Sequence, residues 1–320
     1  MNKEKRHAAL APYLRDILEA DDSVAIVAEN RLTMGQSRAM FVLDLEYAKD
    51  GAAIQRKVVV RVEQWGHLGS DSENEVNIMR ALHALDYPVA EILGYETSSD
   101  LLEQPFFVMG FVPGVSTFSE DTADEYIAAL HRLHSIDATS DAFDFLETPG
   151  APHGAALQQV ERWYDTYRSH IVGEPSPLVE EATQWLRNNA PENERVTLVH
   201  GDPGPGNYLY DDGHVTAVVD WEFIHKGDPY DDWAYLIAMR GVAYLQEDDW
   251  IARIEKITGS KIDRQRLEYW KAVNFLMGVG IDQTSHRIYA DHQNPAPNLL
   301  AIATGVHLSA LRRLCNAIFL

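Results

Sequence analysis

One cysteine, Cys315, in a chain of 320 residues has no second thiol to pair with, which excludes an intramolecular disulfide and a cysteine-built metal cluster. That scarcity suits a reducing compartment, and the expected location is the cytoplasm. No apolar run is long enough to cross a bilayer, and the opening stretch MNKEKRHAALAPYLRDILEADD lacks the apolar core of a signal peptide. Cations are also scarce: 27 Lys and Arg stand against 49 Asp and Glu, for a formal net charge of -22. Such a surface repels nucleic-acid phosphates and anionic membranes, so neither is expected as a partner. Internal repeats and low-complexity tracts are missing, and oligomeric state leaves no mark. Hydrophobic residues make up 46%, enough for a globular core, and the length suits two domains.

The chain divides by pattern. An amphipathic helix is expected over residues 6–20, followed by a strand-rich region in which RLTMGQSRAMFVLDLEY and IQRKVVVRVE flank an Asp50-Gly51 hairpin signal. ENEVNIMRALHAL has helical periodicity, and EILGYET and PFFVMGFV read as two more strands. Pro113 and Gly114 close this part, which sets the expected domains at 1–112 and 113–320. The second is mainly helical, with DWAYLIAMRGVAYL, DRQRLEYWKAVNFLMGV and others carrying helical apolar stripes. VTLVH and TAVVDWE interrupt it, and are expected to form an isolated hairpin-like pair.

Polar residues crowd the ends of those two runs. In LVHGDPGPGN, Asp202 and Asn207 lie five apart across a Gly/Pro-rich segment, and Asp220 ends the run VTAVVD. Such residues are common in turns, yet Asp220 closes a strand-like run, and His200 and Asp202 directly follow another. A carboxylate and an amide oxygen converging from two strand ends suit Mg²⁺, a hard cation that also takes phosphate oxygens. Asp202 is then left to face a substrate hydroxyl. The order Asp, Asn, Asp is that of the protein-kinase catalytic set.

LVHGDPGPGN, TAVVDWE and GDPYDDWAYL together resemble the aminoglycoside phosphotransferase and choline kinase-like superfamily. The likeness is greatest to its broad phosphotransferase branch, which includes kinase domains attached to some acyl-CoA dehydrogenases. YPVAEILGYETSSDLLEQPFFVMGFVPG and the ALHRLH helix extend it over nearly the whole chain. The resemblance implies an α+β, protein kinase-like two-lobed fold. A small antiparallel-sheet lobe with one helix would bind nucleotide, and a larger helical lobe would carry the catalytic loop and acceptor site. It implies ATP and Mg²⁺ as cofactors and a small-molecule hydroxyl as acceptor. Asp202 would be the catalytic base, and Asn207 and Asp220 the metal ligands. His200 is expected to support the loop, Glu222 to anchor a helix or hold a water, and Asp228 and Asp232 to cap a helix start.

For the nucleotide, the candidate phosphate-covering turn is LTMGQSRAMF, with Gly35 and Ser37, although Met34 stands where a second glycine is frequent in the family. In VVVRV, Arg61 takes the place of the kinase lysine; Lys57 lies about 13 Å back along the strand. Arginine can fork onto phosphate or carboxylate oxygens, and Glu75 on the following helix would be its partner. By similarity, the backbone of Gly110 and Val112 would contact adenine, with Met109 against the ring. Trp163, Tyr164, Tyr167, Tyr269, Trp270 and Asp282 fall in the stretches expected to meet the acceptor. The resulting reading is an ATP-dependent small-molecule kinase; the rivals are a nucleotide-binding pseudokinase and an antibiotic-resistance kinase.

Overall fold

The computed structural model describes residues 1–32, 39–63, 72–192, 195–293 and 297–319. Gly35 and Ser37 lie outside the described residues. The chain forms two compact units, one built from the described residues up to Gly114, the other from Val115 onward.

Among its described residues, the first unit is a five-stranded antiparallel sheet with two helices: α1 (Lys3–Leu18), β1 (Ala25–Leu32), β2 (Ala39–Lys49), β3 (Ala52–Val62), α2 (Glu73–His83), β4 (Ile92–Glu96) and β5 (Phe106–Gly110). The strand order is β1-β2-β3-β5-β4. Asp50 and Gly51 join β2 to β3 with φ of 53° and 75°. Positive φ at both positions is the type I′ geometry, whose twist matches the flanking strands. Alternation sends Leu43 and Leu45 of β2 and Val58 and Val60 of β3 against Leu10, Leu14 and Leu18 of α1, forming the core. Arg61, one step out of phase with Val60, reaches α2 on the other face.

The second unit is mainly helical: α3 (Glu120–His134), α4 (Gly154–His170), α5 (Pro177–Asn188), then four short strands, then α6 (Pro229–Tyr235), α7 (Glu247–Thr258), α8 (Arg264–Ala290), α9 (Pro297–Ala301) and α10 (His307–Phe319). The strands are β6 (Thr197–Val199), β7 (Tyr208–Asp211), β8 (His214–Val218) and β9 (His225–Gly227). The expected pairing of VTLVH with TAVVDWE does not form. β8 pairs with β7 through the tight turn at Asp212 and Gly213, and β6 pairs with β9. Each apolar run thus finds a different partner, and the polar residues between them are gathered by two ladders.

DWAYLIAMRGVAYL is not one helix either. After α6 the chain widens into a π turn over Leu236–Arg240 and tightens into a 3₁₀ turn over Gly241–Ala243. A Cβ on Gly241 would come within 2.4 Å of the Leu236 carbonyl oxygen and 2.7 Å of the Trp250 indole, so only glycine closes this turn.

Candidate functional site

β6 is fully buried and delivers the chain into His200-Gly201-Asp202. Gly201 takes φ of 84°, and a Cβ there would lie 2.6 Å from the Phe223 carbonyl oxygen, so the loop can pass this close only without a side chain. His200 is buried and bonds on both sides. Its Nε2 donates to the Val219 carbonyl (3.1 Å), and its Nδ1 accepts from the Asp202 amide (3.2 Å). Asn207 ties the same loop inward. Its Nδ2 donates to the backbone oxygen and to Oδ2 of Asp202, both at 2.8 Å, and its carbonyl accepts from the Val219 amide at 3.1 Å.

Val219 therefore joins both arms, and the next residue is Asp220, half-buried and held at φ of 70°. That left-handed conformation is uncommon outside glycine and marks a locally determined backbone. Asp202 and Asn207 are thus tied to each other and to Val219, whose next residue is Asp220. Asn207 spends its amide nitrogen on Asp202, so its oxygen is the atom suited to a cation. Among the described residues no three His, Cys, Asp or Glu side chains are grouped to hold a metal. An amide oxygen with carboxylate oxygens is a donor set that fits a hard, partly hydrated ion such as Mg²⁺ and not zinc.

Arg240 was not foreseen. Its Nε donates to Asp202 Oδ1 at 2.7 Å and its Nη2 donates to Oδ2, a two-pronged clamp on a carboxylate only 4% exposed. The π turn presents Arg240, and the loop glycines make room for it: a Cβ on Gly204 would lie 2.6 Å from Arg240 Cβ. Burial works against the guanidinium charge, but the bonds and charge of Asp202 outweigh it and raise the Arg240 pKa. Tyr235, at the end of α6, is pushed well above its ordinary pKa by burial and then by the Asp202 charge, so it remains a neutral hydroxyl beside the pair.

Asp228 caps α6 as expected, accepting from the Tyr230 amide. Asp232 does not cap. Its Oδ2 accepts from the His200 amide (2.9 Å) and from His134 Nε2 (2.8 Å), and its Oδ1 accepts from the Gly201 amide (2.9 Å). Burial opposes its ionisation, but the His134 and backbone donors win and hold its carboxyl below the usual range. Glu222 is half-buried.

In the first unit, Arg61 Nη1 and Glu75 Oε1 meet at 2.6 Å, with exposures of 8% and 1%. Lys57 instead pairs with Asp44 at 3.4 Å near the surface. Removing Glu75 takes a carboxylate from a buried guanidinium, so Glu75→Ala is expected to destabilise this unit by up to about 3–5 kcal/mol in urea unfolding. An unchanged midpoint would show that other groups serve Arg61. The Gly110 amide donates to the Glu91 carbonyl at 2.8 Å, so a base docking at this strand end would use the Gly110 carbonyl. Met109 is half-buried in β5, and Val112 lies just beyond it.

Most of the aromatic candidates are core residues with satisfied polar tips. The Tyr167 hydroxyl accepts from the Ser176 amide, Tyr269 donates to the Leu186 carbonyl, and the Trp270 indole donates to Asp228. Tyr164 donates to Glu180 at 2.6 Å, and Trp163 meets Phe223 edge-on. Asp282 is buried on α8, which pushes its carboxyl up to about 7, and His307 Nδ1 lies 3.9 Å away.

Residues 42–270 match the model of the phosphotransferase enzyme family. Acyl-CoA dehydrogenase family member 10 of Mus musculus is 30% identical over 243 residues, 71% of this chain and 22% of that protein. Family member 11 of the same organism is 25% identical over 334 residues, 93% of this chain and 41% of that protein. The chain therefore corresponds to less than half the length of either relative. Among solved structures, a thermostable mutant of the aminoglycoside phosphotransferase APH(4)-Ia, in a ternary complex with ADP and hygromycin B, superposes with a TM-score of 0.60. It is 16% identical, with 97% of this chain and 98% of that one covered. The α+β architecture is thus the kinase-like fold of these enzymes.

Proposed function

The chain belongs to the phosphotransferase enzyme family, and from that premise we propose that it is a kinase transferring the γ-phosphoryl group of ATP to a hydroxyl of a small molecule. The observation that carries this reading is the buried Asp202 carboxylate, fixed by Arg240 and Asn207 in one knot with the backbone leading to Asp220.

Asp202 would accept the hydrogen bond of the acceptor hydroxyl, orient its oxygen toward the γ-phosphorus and receive its proton. As the new P–O bond forms, the bond to the β-phosphate breaks and ADP departs. Asn207, through its side-chain oxygen, and Asp220 would hold Mg²⁺, which neutralises phosphate charge when bound. Arg61, oriented by Glu75, would supply a guanidinium to the nucleotide phosphates, in the role lysine has in kinases. Gly110, Val112 and Met109 would meet the adenine, and Gly35 and Ser37 would cover the phosphates. The nucleotide-binding lobe would be residues 1–112 and the acceptor-binding lobe 113–320. A cytoplasmic location is part of the same proposal; among the described residues no helix is long and apolar enough to cross a membrane.

The relatives' names point to acyl-CoA chemistry and the structural neighbour's to an aminoglycoside, so both belong in the acceptor panel. The test is ATP consumption with Mg²⁺ across hydroxyacyl thioesters, aminoglycosides, choline-like amines and sugars, with the new phosphoester followed by ³¹P NMR. A phosphorylated hydroxyl is the expected product. Nucleotide binding without turnover on any acceptor would favour the pseudokinase reading, which Arg61 in the lysine position motivates. Neither binding nor turnover would overturn both.

A further inference from the structure

Arg162 sits on α4, half-buried, and makes no hydrogen bond or ion pair through its side chain among the described residues. Its surroundings use arginine differently: Arg187 is bound to Glu161, Arg168 to Glu180, and Arg266 to Asp228. Arg162 has only ring faces, with its guanidinium carbon 4.9 Å from the Trp163 centroid and 5.9 Å from that of Phe223. Rings of this kind pack against the flat face of a guanidinium and leave its N–H edge to other partners. None of its nitrogens is sealed from solvent. Burial nonetheless lowers its pKa, outweighing the opposing Asp231 charge, so the cation is partly desolvated. Asp231 is no substitute partner: it is fully buried, its own pKa is raised by burial, and it lies 3.3 Å from His225.

Phe223 links this position to the loop that carries Asp202. Phe223, which flanks Arg162, is the residue whose carbonyl and Cβ come within 2.6 and 2.8 Å of the Gly201 Cβ position, and Gly201 precedes Asp202. One helical turn before Arg162, Gln158 buries its side-chain oxygen with no donor. An open cation and an orphaned carboxamide oxygen therefore share one stripe of α4.

We propose that Arg162 is the docking point for an anionic oxygen group, a carboxylate or a phosphate, on the same molecule whose hydroxyl is phosphorylated. Two parallel N–H bonds to such a group satisfy the guanidinium edge, as in bidentate arginine recognition generally. The net charge of -22 repels anions at long range, but such fields are screened beyond about 8 Å at physiological salt, so a local cation decides the outcome. Polycationic acceptors are disfavoured at the same point. This inference rests on the phosphotransfer reading for the fate of the hydroxyl, but not for the binding itself.

The test uses two matched pairs of probes, 3-hydroxyoctanoate with 3-hydroxyoctanamide and glycerol 3-phosphate with glycerol, titrated calorimetrically without nucleotide. Wild-type protein is expected to bind the anion of at least one pair about 10- to 100-fold more tightly than its neutral twin, the range of a charge-assisted hydrogen-bonded contact. The pair that discriminates identifies carboxylate or phosphate as the source. Arg162→Gln should erase the preference and leave the neutral twin's affinity unchanged, and Arg162→Lys should retain part of it. Melting curves confirm that each variant is folded, and the Lys variant carries the test if the Gln variant is not. Equal binding of both members of each pair, no binding of either anion, or a preference that survives Arg162→Gln would overturn the proposal. A preference without phosphoryl transfer to any acceptor upholds this inference and sinks the proposed function; transfer indifferent to acceptor charge does the reverse.

Discussion

Asp202→Asn is expected to lower phosphoryl transfer by about 10²- to 10⁴-fold, the usual worth of a positioned general base, while nucleotide still raises the melting temperature. Among the described residues the carboxylate accepts from Nε and Nη2 of Arg240 and from Nδ2 of Asn207. An amide has one accepting oxygen and one donating nitrogen, so at least one of those donors would face another N–H. A stability loss on the order of 2 kcal/mol should accompany the catalytic loss, from a charge-assisted bond replaced by an unsatisfied one. The two effects separate in the Asp202→Asn/Arg240→Gln double variant, where the stability loss should be smaller than the sum of the singles and transfer no better. Undiminished turnover by a folded Asp202→Asn protein would remove this carboxylate from the chemistry.

Asp232→Ala should be the most damaging single change to the loop. It leaves the His200 and Gly201 amides and His134 Nε2 without their common acceptor, all in buried positions. At about 1–3 kcal/mol for each stranded donor, the expected cost is several kcal/mol, with transfer lost because the His200–Asp202 segment no longer has a fixed path. Asp232→Asn keeps one acceptor and should fall between. The wild-type contribution has a pH signature. The folded-state pKa of Asp232 is depressed, so its stabilisation is complete above the unfolded value of 3.8 and disappears as pH falls through the lower folded value. Acid titration of stability should therefore be shallower in Asp232→Asn than in wild type. An alanine variant as stable as wild type would show that water replaces the carboxylate.

Much of this is legible in the sequence. Asp50-Gly51 announced its hairpin because a type I′ turn needs two residues tolerant of positive φ, a local requirement that sequence displays. The polar loop was legible for the opposite reason, since nothing about core packing explains so many polar groups at the ends of apolar runs. Arg240 was hidden. It reads as an ordinary helical arginine, and only a π turn, paired with glycines more than thirty positions earlier, brings it to Asp202. Asp232 was misread because two aspartates at a helix start send the same capping signal, and local pattern cannot tell which serves the helix and which faces a strand behind it. The pairing of β6 with β9 was equally out of reach: three-residue strands separated by two polar turns carry no register information of their own.

The contact between Gly204 and Arg240 constrains how this protein can change. A methyl group at position 204 arrives 2.6 Å from the arginine Cβ, on a backbone with φ of 140° that side chains rarely adopt. The contact is with Cβ, which every residue but glycine carries, so a side chain at 204 requires glycine at 240, and that change leaves Asp202 without its cation. The two positions are therefore epistatic by volume, and a selection for new acceptors will find its tolerated substitutions elsewhere.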